Sequence, residues 1–488
     1  MPCTTILVGR KASNDGSTMI SRTDDGHFDV KKLIAVEPKD QPRKYKSVIS
    51  HVEIELPEEP MRYTATPNVD PSKEGIWPAH GINAANVGMT ATETVTSNPR
   101  VLAADPLVVY KKAEGRGKKE QIGGIGEEDI LTLVLPYIRS AREGVKRLAM
   151  LLEKYGTYEM NGIAFNDEKE VWWLETIGGH HWAAKRVPDD RVVIAPNRFG
   201  MDEYDLEDAL GAQRDHMCSK DLAEFISANR LDSNQDGNFS LRNIFGSHTD
   251  MDHIYDNPRA WFMGRYLAPR SYKWEGESAD FTPESDDIPW SLVPETKVSV
   301  EDVKYLLSGH FQGTDYDPYL NRDTGRRGMY RSIGINRTGV TAICQIRPDA
   351  PEAVKGLEWI CFGSTVFSAF FPVYPNVGKM PTYLSKVTGD VSTENFYWAS
   401  RLIDALADHN YSTSIQNIER YHYAMLVEGR RIIKEYDARI AETGDASLAE
   451  KANEELCRMA REKTVDTLNK VLYDASVHIK NGYNRADN

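Results

Sequence analysis

Two short runs of β-branched and apolar residues open the chain, Thr4-Thr5-Ile6-Leu7-Val8 and Thr18-Met19-Ile20-Ser21, with the polar stretch Ser13-Asn14-Asp15-Gly16-Ser17 between them. Runs of this kind read as strands and such a linker as a turn, so the pattern predicts a β-hairpin. In an antiparallel pair centred near Asn14-Asp15, facing residue numbers sum to roughly the high twenties. Cys3 then falls opposite the segment from Thr23 to Asp25, close to Arg22.

Further along, Lys31 to Val36 and Ser47 to Leu56 read as strands, and the proline-rich stretch 57–78 as an irregular loop. Asn86 to Val95 alternates small and polar residues; its threonines and Glu93 are too polar for a core strand and suit one that lines a cleft. Residues 126–155 carry helical spacing through Ile130, Leu133 and Val134, then Val145, Leu148, Leu151 and Leu152. Pro136 should divide them into two helices, and Glu127, Glu128 and Asp129 suit a helix start. Gly162 to Phe165 with Val171 to Glu175 predicts a second hairpin, followed by strands at Trp182 to Arg186 and Val192 to Ala195. Asp205 to Asn229 reads as helical, 231–300 as loop-rich, and Gly339 to Ile346 and Trp359 to Ser364 as strands. After Gly389 the pattern becomes helical: Ser392 is placed to cap a helix through Phe396, Leu402 and Leu406, and amphipathic stretches follow at about 414–441 and 447–481. Strands, helices, strands, helices in that order predict an α+β arrangement of two sheets with helices outside them.

Composition narrows the function classes. The 488 residues suit one large domain with a helical extension as well as two or three domains. A net charge of −14 argues against a protein that works on nucleic acid or an anionic membrane. No run approaches the roughly 18 apolar residues of a membrane span, and the N-terminus has no pattern of a secretory signal. Cys3, Cys218, Cys344, Cys361 and Cys457 show neither disulfide nor zinc spacing and fit a reducing cytoplasm. Cys344 and Cys361, in apolar strands, read as small buried hydrophobes.

Cys3 is different because it is nearly N-terminal. Loss of two residues would give it a free α-amine, which titrates near pH ~8 and could accept the thiol's own proton. The Pro-Cys-Thr-Thr-Ile-Leu-Val-Gly start and the Arg22-Thr23-Asp24-Asp25 spacing resemble the cysteine dipeptidases of peptidase family C69, which are N-terminal nucleophile (Ntn) hydrolases. Thr90-Ala91-Thr92-Glu93-Thr94, Gly126-Glu127-Glu128-Asp129, Trp173-Leu174-Glu175-Thr176, Gly178-Gly179-His180-His181-Trp182, Pro196-Asn197-Arg198-Phe199 and His310-Phe311-Gln312-Gly313-Thr314 are also family-like and fall in the expected order.

The resemblance implies a four-layer αββα Ntn sandwich over residues 1–388, with residues 1–2 removed on maturation, and a helical C-terminal region over 389–488 suited to a subunit contact. It implies Cys3 as nucleophile, Asp25 holding its α-amine, Arg22 favouring the thiolate and Asn197 donating to the oxyanion. Glu93 could bind a substrate ammonium group or pair with an arginine; Arg331 or Arg337 could bind a substrate carboxylate. The implied activity is dipeptide hydrolysis through a thioester, in the cytoplasm and without a cofactor. Two rival readings are another Ntn amidase, acting on bile salts or penicillin V, and a non-catalytic protein similar to the secernins.

Other motifs carry bland readings. His180 and His181, adjacent on a strand, should point to opposite faces and so bind no shared metal. Asp232 to Ser240 resembles half of an EF-hand loop, but Asn243 stands where the bidentate glutamate is needed. Gly123-Gly124-Ile125-Gly126 is followed by three carboxylates that would repel a phosphate.

Overall fold

The first two β-branched, apolar runs pair antiparallel as β1 (Thr4–Val8) and β2 (Thr18–Asp24), with Thr4 opposite Thr23 and Thr5 opposite Arg22. One step further along this ladder Cys3 stands opposite Asp24, as the turn position predicts. The structure, a computed structural model, describes residues 3–26, 29–115, 117–235 and 237–479, and in residues 91 and 92 the backbone only. Met1 and Pro2, which the resemblance expects to be removed, and Asp236 of the EF-like stretch therefore lie outside the described residues.

After the hairpin come two small ribbons: β3 (Ile34–Val36) pairs with β6 (Tyr63–Ala65), and β4 (Lys44–Lys46) with β5 (Glu53–Glu55). The proline-rich stretch thus contributes a strand, and the strands expected at 31–36 and 47–56 are shorter. Lys31 still bridges Asn68 in the same antiparallel register, and its Nζ lies 3.1 Å from Asp24. The chain continues through β7 (His80–Ile82), β8 (Gly88–Thr94), β9 (Asn161–Asn166), β10 (Val171–Ile177), β11 (His181–Arg186), β12 (Val192–Ala195), β13 (His216–Cys218), β14 (Ser291–Leu292), β15 (Val340–Ile346), β16 (Gly356–Phe362) and β17 (Phe371–Val373). These strands make two antiparallel sheets, one in the order β14-β12-β1-β2-β15-β16-β17 and the other β13-β11-β10-β9-β8-β7.

The period-2 alternation decides how the sheets stack. Leu7, Ile20 and Val193 of the first sheet share a core with Ala164, Val171 and Trp173 of the second. Their strand neighbours Ile6, Met19 and Ile194 face the other way, into a core with the helices Asn257–Leu267 and Val300–Leu307. Trp172 and Leu174 likewise face the helices Ile130–Val134 and Ala141–Tyr155. The result is a helix–sheet–sheet–helix sandwich, an α+β fold of four layers. Pro136 does divide the helical stretch, sitting in the single turn Leu135–Tyr137.

Three local expectations are corrected. Residues 206–228 are not one helix: Leu206–Leu210 and Leu222–Ala228 flank β13, which pairs with β11. Asp208 turns the chain between them by accepting from the amides of Arg214, Asp215 and His216 at 3.0, 2.9 and 2.9 Å. The loop-rich region 231–300 contains the buried helix Asn257–Leu267, entered through Pro258. Finally Asn395, not Ser392, caps the first C-terminal helix, accepting from the Trp398 amide at 2.9 Å. That helix, Phe396–His409, packs with Tyr411–Thr443 and Leu448–Val477 against β16 and β17.

Candidate active site

The open end of the first hairpin gathers a thiol and a dense set of buried charges. Arg22 Nη2 lies 3.2 Å from Cys3 Sγ and 3.1 Å from Asp24 Oδ1, and it also contacts Glu127 Oε1. Its Nη1 donates to the Ala79 carbonyl at 3.4 Å. A buried guanidinium needs this many partners because its desolvation costs several kcal/mol. Glu127 is therefore a site residue missed in the sequence, where it reads as part of a helix start. Its neighbours are spent on tertiary contacts too: Glu128 accepts from the Ile49 amide at 3.0 Å and Asp129 from Tyr45 OH at 2.7 Å.

Cys3 is fully buried, and burial pushes its thiol up to about 11, outweighing the opposing pull of Arg22. A thiol in that state is protonated at neutral pH, so its activation needs a base.

Asp25 sits on the opposite face of the hairpin from Arg22. It accepts from Thr23 Oγ1 at 3.0 Å, Arg331 Nη2 at 2.5 Å and Thr338 Oγ1 at 2.6 Å. Thr23 Oγ1 in turn accepts the Thr4 amide at 3.0 Å. Among the described residues no hydrogen bond joins Asp25 to Cys3 itself; Thr23 stands between them. Arg331 also lies 5.7 Å from the Tyr255 ring centre, and Arg337 Nη2 donates to Tyr255 OH at 3.1 Å. Both arginines thus meet at one tyrosine, and Arg331 reaches the Asp25 carboxylate as well.

Asn197 follows β12 with φ = 70°, a left-handed conformation that asparagine tolerates better than most residues. Its backbone amide donates to Glu93 Oε1, and its Nδ2 donates to the Thr94 carbonyl at 2.9 Å. Arg259, fully buried in the helix Asn257–Leu267, completes the arrangement. Its Nη1 donates to the Cys3 carbonyl at 2.5 Å and Thr4 Oγ1 at 2.7 Å; its Nη2 donates to Asn197 Oδ1 and Asp256 Oδ1, both at 2.9 Å, and to Pro196 O at 3.0 Å. One guanidinium therefore ties the backbone of Cys3 to the side chain of Asn197. Sequence reading missed it because its helix lies in a stretch rich in tryptophan, aspartate and loop residues. The only signal was Asn257-Pro258, a helix entry.

Beside Asn197 opens a cavity of about 270 Å³ lined by Thr94, Thr96, Met251, Tyr255 and Asp256. A larger hollow of about 770 Å³ lies against Phe262 and Tyr266, bordered by none of the residues above.

Glu93 is buried behind the cavity, and burial holds its carboxyl up at about 7, against the pull of the Asn197 amide and Arg259. An unfolded glutamate titrates near ~4.3. Between those values the folded chain keeps a proton that the unfolded chain has lost, so this group's contribution to stability falls as pH rises from about 4 to 7. Glu93→Gln keeps an acceptor for the Asn197 amide and cannot ionise. Its urea-unfolding stability is expected to match wild type at pH 5 and to exceed it by roughly 1–3 kcal/mol at pH 8.

His180 and His181 do not diverge as expected. His180 lies in the turn before β11, so both rings reach one carboxylate, with Nδ1 atoms 3.0 and 2.7 Å from Asp105.

The family model described as Peptidase family C69 matches residues 2–424. A dipeptidase of Bifidobacterium longum is 54% identical over 450 residues, covering 91% of this chain and 84% of its own. A probable dipeptidase A of Streptococcus pyogenes serotype M18 is 45% identical, with 99% of this chain and 98% of its own covered. A crystal structure of a mutant conjugated bile acid hydrolase from Clostridium perfringens aligns over 77% of this chain and 92% of its own at 12% identity, with a TM-score of 0.34. At that score the layer order rests on the strand pairings themselves.

Proposed function

The chain belongs to peptidase family C69, and from that premise we propose that it hydrolyses dipeptides with Cys3 as an N-terminal nucleophile. The observation that carries the reading is the convergence on Cys3: Arg22 at its sulfur and Arg259 linking its carbonyl to Asn197.

Maturation comes first. Met1 is removed because proline follows it; the Cys3 thiol then attacks the Pro2 carbonyl, its proton passing to the Cys3 nitrogen as the Pro2–Cys3 bond breaks, and water hydrolyses the resulting Pro2 thioester to release proline and the free thiol. The freed α-amine of Cys3 accepts the thiol proton, which the buried side chain cannot lose unaided. Sγ then attacks the dipeptide carbonyl. Asn197 Nδ2 and backbone N–H groups hold the tetrahedral oxyanion, an arrangement worth about 10²–10³ in rate per donor in other enzymes. The α-ammonium returns its proton to the leaving amine, a thioester remains on Cys3, and water hydrolyses it. Arg22 favours the thiolate, and Asp25 orients the α-amine with Thr23 beside it. Arg331 or Arg337, meeting at Tyr255, takes the substrate carboxylate, while Glu93, buried behind the cavity, holds the Asn197 amide beside Arg259. No cofactor takes part. The reading includes residues 1–388 as the catalytic unit, a cytoplasmic protein, and helices after 388 that meet another subunit.

Turnover of a dipeptide panel compared with N-acyl amides, on protein whose N-terminus is Cys3, tests the substrate class. Free dipeptides are expected to be hydrolysed at least ~100-fold faster, the discrimination of a site built around charged termini. Preference for bile-salt or penicillin V amides would replace this reading with the acylase one, and inactivity on both would favour the non-catalytic one.

A further inference from the structure

Between the two sheets, away from the cavity, three side chains from three strands converge: His80 of β7, Cys344 of β15 and Glu358 of β16. One donor atom from each lies within 4.8 Å of the other two, and His80 Nδ1 is 2.5 Å from Glu358 Oε1. Their exposures are 2%, 0% and 0%. Yet neither ring nitrogen of His80 and neither carboxylate oxygen of Glu358 has a hydrogen-bond partner among the described residues. The Cys344 sulfur has one long contact, 3.8 Å to the Gly81 carbonyl.

Interiors seldom leave so many polar atoms unsatisfied, and an ion pair buried without supporting hydrogen bonds is costly. A cation at the centre answers both costs. Imidazole nitrogen, thiolate and carboxylate are the donor set of a zinc-class ion. One thiolate and one carboxylate balance its two charges, leaving a neutral group in the interior.

We propose that His80, Cys344 and Glu358 bind one divalent ion of the zinc class, which cross-links the two sheets as a structural site. The fourth position is filled by the Gly81 carbonyl or a water molecule. Binding forms a metal–sulfur bond as the S–H bond breaks, and the thiol proton, with any proton on His80, leaves to solvent; no electron is transferred. Tetrahedral ligation also moves the imidazole nitrogen and carboxylate oxygen apart to about 3.3 Å. The site is not part of the peptidase chemistry, although the neighbouring Ala79 carbonyl holds Arg22.

The full chain, stripped with a chelator and reloaded with Zn²⁺ or Co²⁺, provides the test. Expected are about one Zn²⁺ retained per chain after gel filtration, a higher melting temperature on reloading, and a thiolate-to-cobalt absorption band in the Co²⁺ form. The band is expected to vanish in Cys344→Ser and to persist in Cys3→Ala. If Cys344→Ser does not fold, His80→Gln serves in its place, expected to lower Zn²⁺ affinity at least ~10-fold. A folded wild-type chain that retains no stoichiometric Zn²⁺ and shows no band overturns the proposal. So does a band that survives Cys344→Ser and disappears in Cys3→Ala.

Discussion

Cys3→Ala is expected to abolish dipeptide hydrolysis while leaving both sheets folded. The substitution removes one buried sulfur at the end of β1, outside the paired register, which should cost about 1 kcal/mol. Arg22 keeps Asp24, Glu127 and the Ala79 carbonyl, so no charge is stranded. Catalysis has no such reserve, because in the proposed mechanism the sulfur is the atom that forms the acyl bond. Removing a nucleophile costs about 10⁶ in a well-studied protease, and a loss of at least ~10⁴ is expected here. Circular dichroism and a melting curve close to wild type, together with turnover near background, are the anticipated pair of results. Substantial turnover by the folded variant would remove Cys3 from the mechanism.

Arg259→Met should be nearly as damaging, through a different route. The guanidinium donates to the Cys3, Pro196 and Tyr255 carbonyls, to Thr4 Oγ1 and to Asn197 and Asp256. Methionine fills part of the space but strands Asp256, whose carboxyl burial already holds up at about 7. Breaking a buried pair from one side typically costs about 3–5 kcal/mol. Loss of the tie between Cys3 and Asn197 should lower kcat/KM by a further factor of about 10²–10³, the range seen when an oxyanion donor is misplaced. Arg259→Lys restores the charge but not the planar fork, so it should recover stability better than rate. Steady-state kinetics and urea unfolding of both variants separate these effects; a wild-type rate in either would detach Arg259 from the site.

The hairpin was legible because its evidence is local: turn residues fix the register, and the register fixes who faces Cys3. The apolar runs at Thr4 to Val8 and Val171 to Glu175 likewise marked strands, but that Leu7 and Ile6, or Trp173 and Trp172, face different cores shows only in the packing. What escaped was tertiary. Glu127 looked like a helix start because a carboxylate near a helix has a local explanation, whereas its partner Arg22 is distant in sequence. Arg259 sits in a helix whose neighbours resemble loop, so nothing in the local pattern marked it. His216 to Cys218 became a strand because the edge of β11 offered unpaired backbone groups, overriding a helical spacing. Ser392 lost the cap to Asn395 because the helix begins at Phe396, where its apolar pattern itself begins, four residues past Ser392.

At the centre of the account is one residue that carries both the attacking sulfur and its own base. Intact-mass analysis of the active enzyme, paired with titration of its reactive thiols, tests this most directly. The account predicts that the fraction of chains beginning at Cys3 equals the active fraction, and that Cys3→Ala retains Pro2. Full activity in chains that still carry Pro2 would contradict it, since an amide nitrogen cannot accept the thiol's proton.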